Sequence, residues 1–187
     1  MELGLTKDEL KLVPYDNEWK NEFLRVKQEI IKHTNLEDAL IQHIGSTSIV
    51  GIMAKPILDM IVGVDDINDV DKIIISGLKK VGFLRLAVER PSEIVFAKFV
   101  DDTYHVKTHF IHLVDYEKEL WKNLIYFRDI LNSNEVVRNE YENLKWEYVK
   151  NNTSGIGDYT DHKEEFVKRI YAERLKLKTL NLIRSDY

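Results

Sequence analysis

The chain has 187 residues, 44% of them hydrophobic and 32% charged, a composition that suits a globular protein able to bury a core. Its 27 basic and 32 acidic residues give a net charge of −5, which argues against a nucleic-acid partner. With no cysteine, disulfides, thiolate zinc sites and cysteine nucleophiles are excluded, and the expected compartment is the cytoplasm. No apolar run reaches the ~18 residues of a spanning helix and no signal peptide is recognisable, so no membrane partner is expected.

The N-terminal third is predicted to hold an irregular arm, residues 1–14, followed by a helix. Three apolar residues are expected to dock the arm: Leu10, Leu12 and Val13. Asp16 is predicted to cap the helix. Four apolar residues then recur at helical spacing and predict one buried face: Trp19, Phe23, Val26 and Ile30.

Two apolar runs, 41–44 and 56–64, predict buried strands joined by a turn of small residues. Residues 65–81 then predict a helix, with Asn68 or Asp69 as its cap and Gly82 ending it in a left-handed conformation. Three strand-like runs follow with short turns between them, which indicates an antiparallel meander: 83–88, 94–100 and 105–114.

The last third, from about residue 116, is predicted to be helical. Apolar spacing indicates three helices, with a loop at 151–158 and Thr160 as the cap of the third. The tail from Lys176 is expected to be exposed or to pack between chains, so a homo-oligomer is one possible assembly. The whole chain, 1–187, is interpreted as a single domain.

The chemistry is expected in the turn between the first two strands and at Asp59 in the second. Gly45 lacks a Cβ, so a ligand can approach the backbone there. Ser46 and Thr47 supply hydroxyls and could cap a short helix facing an anion, and Lys55 supplies a cation. Asp59 shares a strand face with apolar neighbours, where an ionised carboxylate is costly without a partner.

This stretch resembles the GrpB family, which is assigned to the nucleotidyltransferase fold. The resemblance rests on an ungapped string: His43-Ile44-Gly45-Ser46-Thr47-Ser48, Gly51, Ala54-Lys55-Pro56 and Asp59. Further matching segments extend it from about Tyr15 to about Phe166. The chain departs from the pattern at Ile49-Val50, where the family usually has Val-Pro, and at Ile61, where the second acid of Asp-x-Asp would stand.

The resemblance implies an α/β fold, with a nucleotidyltransferase-like mixed sheet, flanking helices and a C-terminal helical group. It implies Mg²⁺ at Asp59, and it places His112 where a histidine could be a metal ligand or general base, with a satisfied buried histidine as the equal alternative. It also implies phosphate contacts for six residues: Gly45, Ser46, Thr47, Lys55, Arg128 and Lys163.

For several other polar residues, we expect a structural role and not a catalytic or binding role. Lys145 is expected at the surface in a salt bridge, and four acids are expected to be solvated turn or edge charges: Glu89, Glu93, Asp101 and Asp102. His109 and His112 are predicted to point to opposite faces of their strand, with His112 toward Asp59.

Two functions from different classes follow. The first is a nucleotidyltransferase that moves a nucleotidyl group from an NTP to an acceptor, with Asp59 and His112 as catalytic residues. The second is a degenerate module that binds a nucleotide or another phosphorylated small molecule without turnover. A metal-dependent hydrolase or phosphotransferase is a weaker third. A second carboxylate within about 4 Å of Asp59 would favour the transferase, because the ions of a two-metal site lie that far apart.

Overall fold

The computed structural model describes residues 2–6, 9, 11–151 and 156–185. It divides into two compact units, residues 1–122 and 123–187, which are described separately below. The expectation of one domain over the whole chain stays a prediction. Leu10 lies outside the described residues, whereas Val13 exchanges backbone hydrogen bonds with Ala54, as expected of a docked arm.

The first unit is built on a five-stranded mixed sheet in the order β1-β2-β5-β4-β3. The strands are β1 Ile41–Ile44, β2 Leu58–Val64, β3 Phe83–Arg85, β4 Glu93–Phe99 and β5 Lys107–Asp115. Only the central pair of β2 and β5 is parallel, and the other three pairs are antiparallel. The predicted α/β class and the meander of β3, β4 and β5 are therefore confirmed.

Alternation along β2 decides which face of the sheet carries the core. Leu58, Met60 and Val62 point to one face, where they pack with apolar residues of α1 (Glu18–Thr34) and α2 (Lys72–Lys80). All four predicted apolar positions of α1 are buried there: Trp19, Phe23, Val26 and Ile30. The opposite face presents Asp59, so the carboxylate lies on the side of the sheet away from this core.

The helix caps differ in detail from the sequence prediction. The cap position of α1 is occupied by Asn17 and not by the predicted Asp16, although the Asp16 carboxylate accepts a hydrogen bond from the Glu18 backbone N–H at 2.8 Å. The cap of α2 is Asp71, which accepts from the Ile73 N–H at 2.7 Å. The prediction of Asn68 or Asp69 was wrong because residues 66–69 form a separate turn. Gly82 follows α2 with φ +96°, as predicted.

The second unit is helical, as predicted. Its helices are α3 Glu119–Ser133, which begins in the first unit, α4 Glu135–Asn151 and α5 Ile156–Ser185. Thr160 lies inside α5 and does not cap it. The loop predicted at 151–158 was wrong at both ends, because α4 includes residue 151 and α5 includes residues 156–158, and residues 152–155 lie outside the described residues. The surface prediction for Lys145 was wrong: its side chain is buried, with Nζ 4.3 Å from the centroid of the Tyr141 ring.

Within the described residues, none of the helices combines the length and the apolar character that crossing a membrane requires.

Candidate functional site

Asp59 is the exception in a buried strand. Six of the seven residues of β2 are buried, whereas the Asp59 side chain is 32% exposed. A carboxylate at that position keeps part of its hydration, which lowers the cost of placing a charge beside apolar strand residues. Asp59 is therefore the point at which this strand meets solvent.

The turn after β1 lies directly against the Asp59 carboxylate. Ile44 is paired with Asp59 across β1 and β2, so the next residue, Gly45, lies over its side chain. A Cβ on Gly45 would be 2.8 Å from Asp59 Cβ and 2.9 Å from Cγ, closer than real side chains approach. Gly45 also has φ 68° and ψ −171°, a conformation that is essentially restricted to glycine. Glycine is thus required here on two independent grounds.

The hydroxyls of the turn are used in different ways. Residues Ser46–Ser48 form a short 3-10 helix, but its cap is Gly45, so Ser46 and Thr47 do not cap it as expected. Ser48 Oγ donates to the Gly45 carbonyl at 2.6 Å. Thr47 is buried, and its Oγ1 lies 2.9 Å from His43 Nε2. The imidazole of His43 stacks on Phe23, with centroids 4.9 Å apart. His43 and the Thr47 hydroxyl therefore hold the turn against Phe23 of α1.

His112 faces Asp59, as strand alternation predicts. It is paired with Ile61 across the parallel pair of β5 and β2, so it shares the face that presents Asp59. His112 Nε2 lies 4.0 Å from Asp59 Oδ1, an ion-pair distance that is too long for a hydrogen bond. His109 points to the opposite face, where its Nε2 lies 3.3 Å from Glu22 Oε1 without the alignment of a hydrogen bond.

The second carboxylate near His112 belongs to Glu93, and the prediction that Glu93 is solvated was wrong. Its side chain is only 9% exposed, and Oε2 lies 2.6 Å from His112 Nδ1. Its other oxygen accepts from Arg90 Nη1 at 2.9 Å. β4 begins at Glu93, one residue before the predicted strand, and this places the side chain on the same face as His112. A predicted strand that began at Glu93 would have indicated that its side chain lies on the same face as His112.

The hydrogen-bond inventory gives the charge state of His112. An ionised Glu93 can only accept, so Nδ1 carries a proton. Nε2 then faces a second carboxylate, Asp59, and is favourable there only when it too is protonated. Burial lowers the pKa of His112, but the negative charge of the facing Asp59 and the hydrogen bond and charge of Glu93 outweigh it and raise the pKa to about 9. Burial similarly raises the pKa of Glu93, yet His112 and Arg90 hold it below the ordinary value. At neutral pH the site thus contains a histidinium between two carboxylates.

Mg²⁺ prefers oxygen ligands in octahedral geometry, and the side chains of the site meet this requirement only in part. Asp59 offers carboxylate oxygens, but imidazole is a ligand for softer ions, so His112 does not suit Mg²⁺. Glu93 is separated from Asp59 by the imidazole ring, and the described residues contain no group of three or more His, Asp or Glu placed to hold a metal. The residues fit one Mg²⁺ at Asp59 at most and do not fit a two-metal centre.

The three predicted phosphate-binding cations lie in different parts of the chain. Lys55 stands between the turn and β2, next to Ala54. Arg128 and Lys163 belong to the second unit, on α3 and α5. Arg128 Nε donates to the adjacent Asp129 at 2.7 Å. Phosphate contacts for these three residues stay predictions.

The fold and the site define an α/β protein with an acid-histidine-acid cluster on one face of a mixed sheet. The family model described as GrpB protein matches residues 9–173. The glutamate-rich protein GrpB of Alkalihalophilus pseudofirmus is 40% identical over 174 residues, which cover 91% of this chain and 99% of that protein. The chain belongs to the GrpB family.

Two further comparisons agree with this assignment. A UPF0157 protein of Deinococcus radiodurans is 30% identical over 157 residues, which cover 84% of this chain and 78% of that protein. The crystal structure of the conserved protein GrpB from Enterococcus faecalis aligns with a TM-score of 0.73 and 24% identity, covering 90% of this chain and 99% of that one. The structural match supports the fold assigned above.

Proposed function

We propose that the protein binds a nucleotide or another phosphorylated small molecule at the Asp59 site. The observation that carries this proposal is the exposure of Asp59 in an otherwise buried strand, beside a turn that only glycine can form. Since burying an acid on this strand has a cost, a ligand that uses the carboxylate, directly or through a cation, gives a reason for its presence. The Gly-Ser turn supplies close backbone approach on one side of it.

A phosphate ligand needs positive charge, and the imidazolium of His112, which faces Asp59, supplies it. Its Nε2–H is directed at the carboxylate across a 4.0 Å gap, and the side chain is 19% exposed. A phosphate oxygen that approached Nε2 from beside the Asp59 carboxylate would accept a charge-assisted hydrogen bond from it. Arg90, whose side chain is 54% exposed beside Glu93, extends the positive charge toward solvent.

Nucleotidyl transfer is the second candidate, favoured by the position of Asp59 beside the Gly-Ser turn. In that case Asp59 would hold one Mg²⁺, which when bound would neutralise phosphate charge, with phosphate and water as its other ligands. Gly45 and Ser46 would contact the phosphates, and His112 would hold a proton at Nε2 near the reacting group. The geometry supports binding better than transfer, because Glu93 is turned to His112 instead of forming a second metal ligand.

A thermal-shift screen tests the proposal. The four NTPs, their diphosphates and pyrophosphate are added at millimolar concentration, each with Mg²⁺ and with EDTA. Because a ligand that binds only the folded state raises the melting temperature, binding predicts an increase for at least one phosphorylated ligand and none for the matching nucleoside. If no nucleotide or pyrophosphate changes the melting temperature in either buffer, the proposal is contradicted.

A further inference from the structure

Glu93 makes contacts that a solvated turn residue would not need. One carboxylate oxygen holds His112 Nδ1 at 2.6 Å and the other holds Arg90 Nη1 at 2.9 Å. Four charged side chains therefore alternate in sign along one face of the sheet, in the order Arg90, Glu93, His112 and Asp59. They come from the β3–β4 turn, β4, β5 and β2, so elements far apart in the chain build this row together.

The contact with Glu93 restricts the imidazole ring of His112. A histidine χ2 torsion has two broad wells about half a turn apart, and exchanging them would swap the positions of the ring nitrogen and carbon atoms. A 2.6 Å hydrogen bond from Nδ1 to a buried carboxylate favours one of these orientations. In that orientation Nε2 points to Asp59. Arg90 in turn limits the rotation of Glu93 by holding its other oxygen.

We propose that Glu93 is a positioning residue of the Asp59 site. It fixes the His112 ring so that the Nε2–H faces Asp59 and any anion that binds beside it. Its role for ligand binding rests on the proposed function, whereas its effect on the ring is a property of the protein alone. Glu93 is therefore not a second metal-binding acid beside Asp59. It holds the imidazole of His112 in a fixed orientation instead.

The test is nitrogen-15 NMR of the histidine rings in the full chain, near neutral pH. In the wild type, His112 is expected to show both ring nitrogens protonated, with a strongly hydrogen-bonded Nδ1–H. In Glu93→Gln a neutral amide oxygen replaces the ionised acceptor and accepts more weakly, so the His112 signals should shift and the Nδ1–H signal should exchange faster with water. Glu89→Gln is the matched control, since Glu89 is an exposed glutamate of the neighbouring turn, and it should leave His112 unchanged.

If Glu93→Gln does not fold, Glu93→Asp provides the second variant. It keeps the charge but shortens the side chain by one methylene, so a contact of 2.6 Å cannot be kept without movement. Wild-type His112 signals in a folded Glu93 variant would overturn the inference. Loss of the Nδ1–H signal in the Glu93 variant, with no change in Glu89→Gln, would support it.

Binding is measured separately, by calorimetry with the phosphorylated ligand that gives the largest thermal shift. We expect Glu93→Gln to weaken the affinity about tenfold and Glu89→Gln to leave it unchanged, because the imidazole that donates a charge-assisted hydrogen bond to the ligand is then less firmly oriented. A wild type that binds no phosphorylated ligand would contradict the proposed function, while the ring signals would still decide the role of Glu93. Equal weakening by both variants would overturn the positioning role.

Discussion

Nδ1 of His112 lies 2.6 Å from Oε2 of Glu93, and this contact joins the first residue of β4 to a residue of β5 nineteen positions later in the chain. This bond determines the charge of the histidine, because an ionised carboxylate on Nδ1 and another facing Nε2 are both satisfied only by the protonated ring. The electrostatic character of the site therefore follows from two carboxylates and one imidazolium, with Arg90 beside Glu93.

Stability should depend on pH through His112. Its pKa is raised to about 9 in the folded protein from an ordinary value near 6.5, so its contribution is complete below pH 6.5 and is lost as the pH rises through 9. The shift corresponds to at most about 3 kcal/mol. Urea unfolding of the wild type and His112→Gln should differ most near pH 6, and the difference should shrink toward pH 10. A pH-independent difference would contradict the assigned charge state.

His109 should give the opposite dependence. Burial lowers its pKa to about 4 against the attraction of Glu22, with Lys98 and Arg25 adding positive charge nearby. The folded state therefore favours the neutral ring, so the contribution is present above pH 6.5 and is lost as the pH falls toward 4. His109→Gln should unfold less steeply with acid than the wild type between these values. The exposed His105 supplies the matched control, and His105→Gln should follow the wild-type curve.

Gly45→Ala should damage both the fold and the site. The added Cβ would overlap the Asp59 side chain, and the backbone conformation is essentially closed to alanine, which together predict a loss of about 3 kcal/mol or more. Gly51→Ala is a close control, because Gly51 also has positive φ but a Cβ there meets no atom within 4 Å. Denaturant unfolding should show a loss of only about 1 kcal/mol for Gly51→Ala. Equal losses would mean that contact with Asp59 is not what excludes a side chain at Gly45.

Local patterns predicted much of the fold. Apolar spacing placed the helices and strands, and strand alternation placed His112 toward Asp59 and His109 away from it. Glu93 was missed because the predicted strand began at Ile94, and because the pairing of β4 with β5 is a long-range property that a sequence window does not contain. Lys145 was missed for a related reason, since charge alone predicts exposure and its burial depends on tertiary packing.

The role of Asp59 separates the two functional hypotheses. If Asp59 holds Mg²⁺, Asp59→Asn should lose metal-dependent nucleotide binding, because the amide keeps the shape but not the charge that binds the ion. If cations contact the phosphates directly, the variant should bind more tightly than the wild type, because one repulsive group is removed. The variant also removes one of the two carboxylates that face the His112 imidazolium, so its stability should fall somewhat near pH 6.

The most direct test of the account is therefore nucleotide calorimetry on the wild type and Asp59→Asn, each with Mg²⁺ and with EDTA. The proposed binding site predicts that the wild type binds a phosphorylated ligand in at least one buffer, and that Asp59→Asn changes that affinity. Tighter binding by Asp59→Asn in EDTA supports direct phosphate binding beside His112, whereas loss of binding only with Mg²⁺ supports a metal at Asp59. Identical affinities for wild type and Asp59→Asn in both buffers would contradict the claim that Asp59 forms the ligand site.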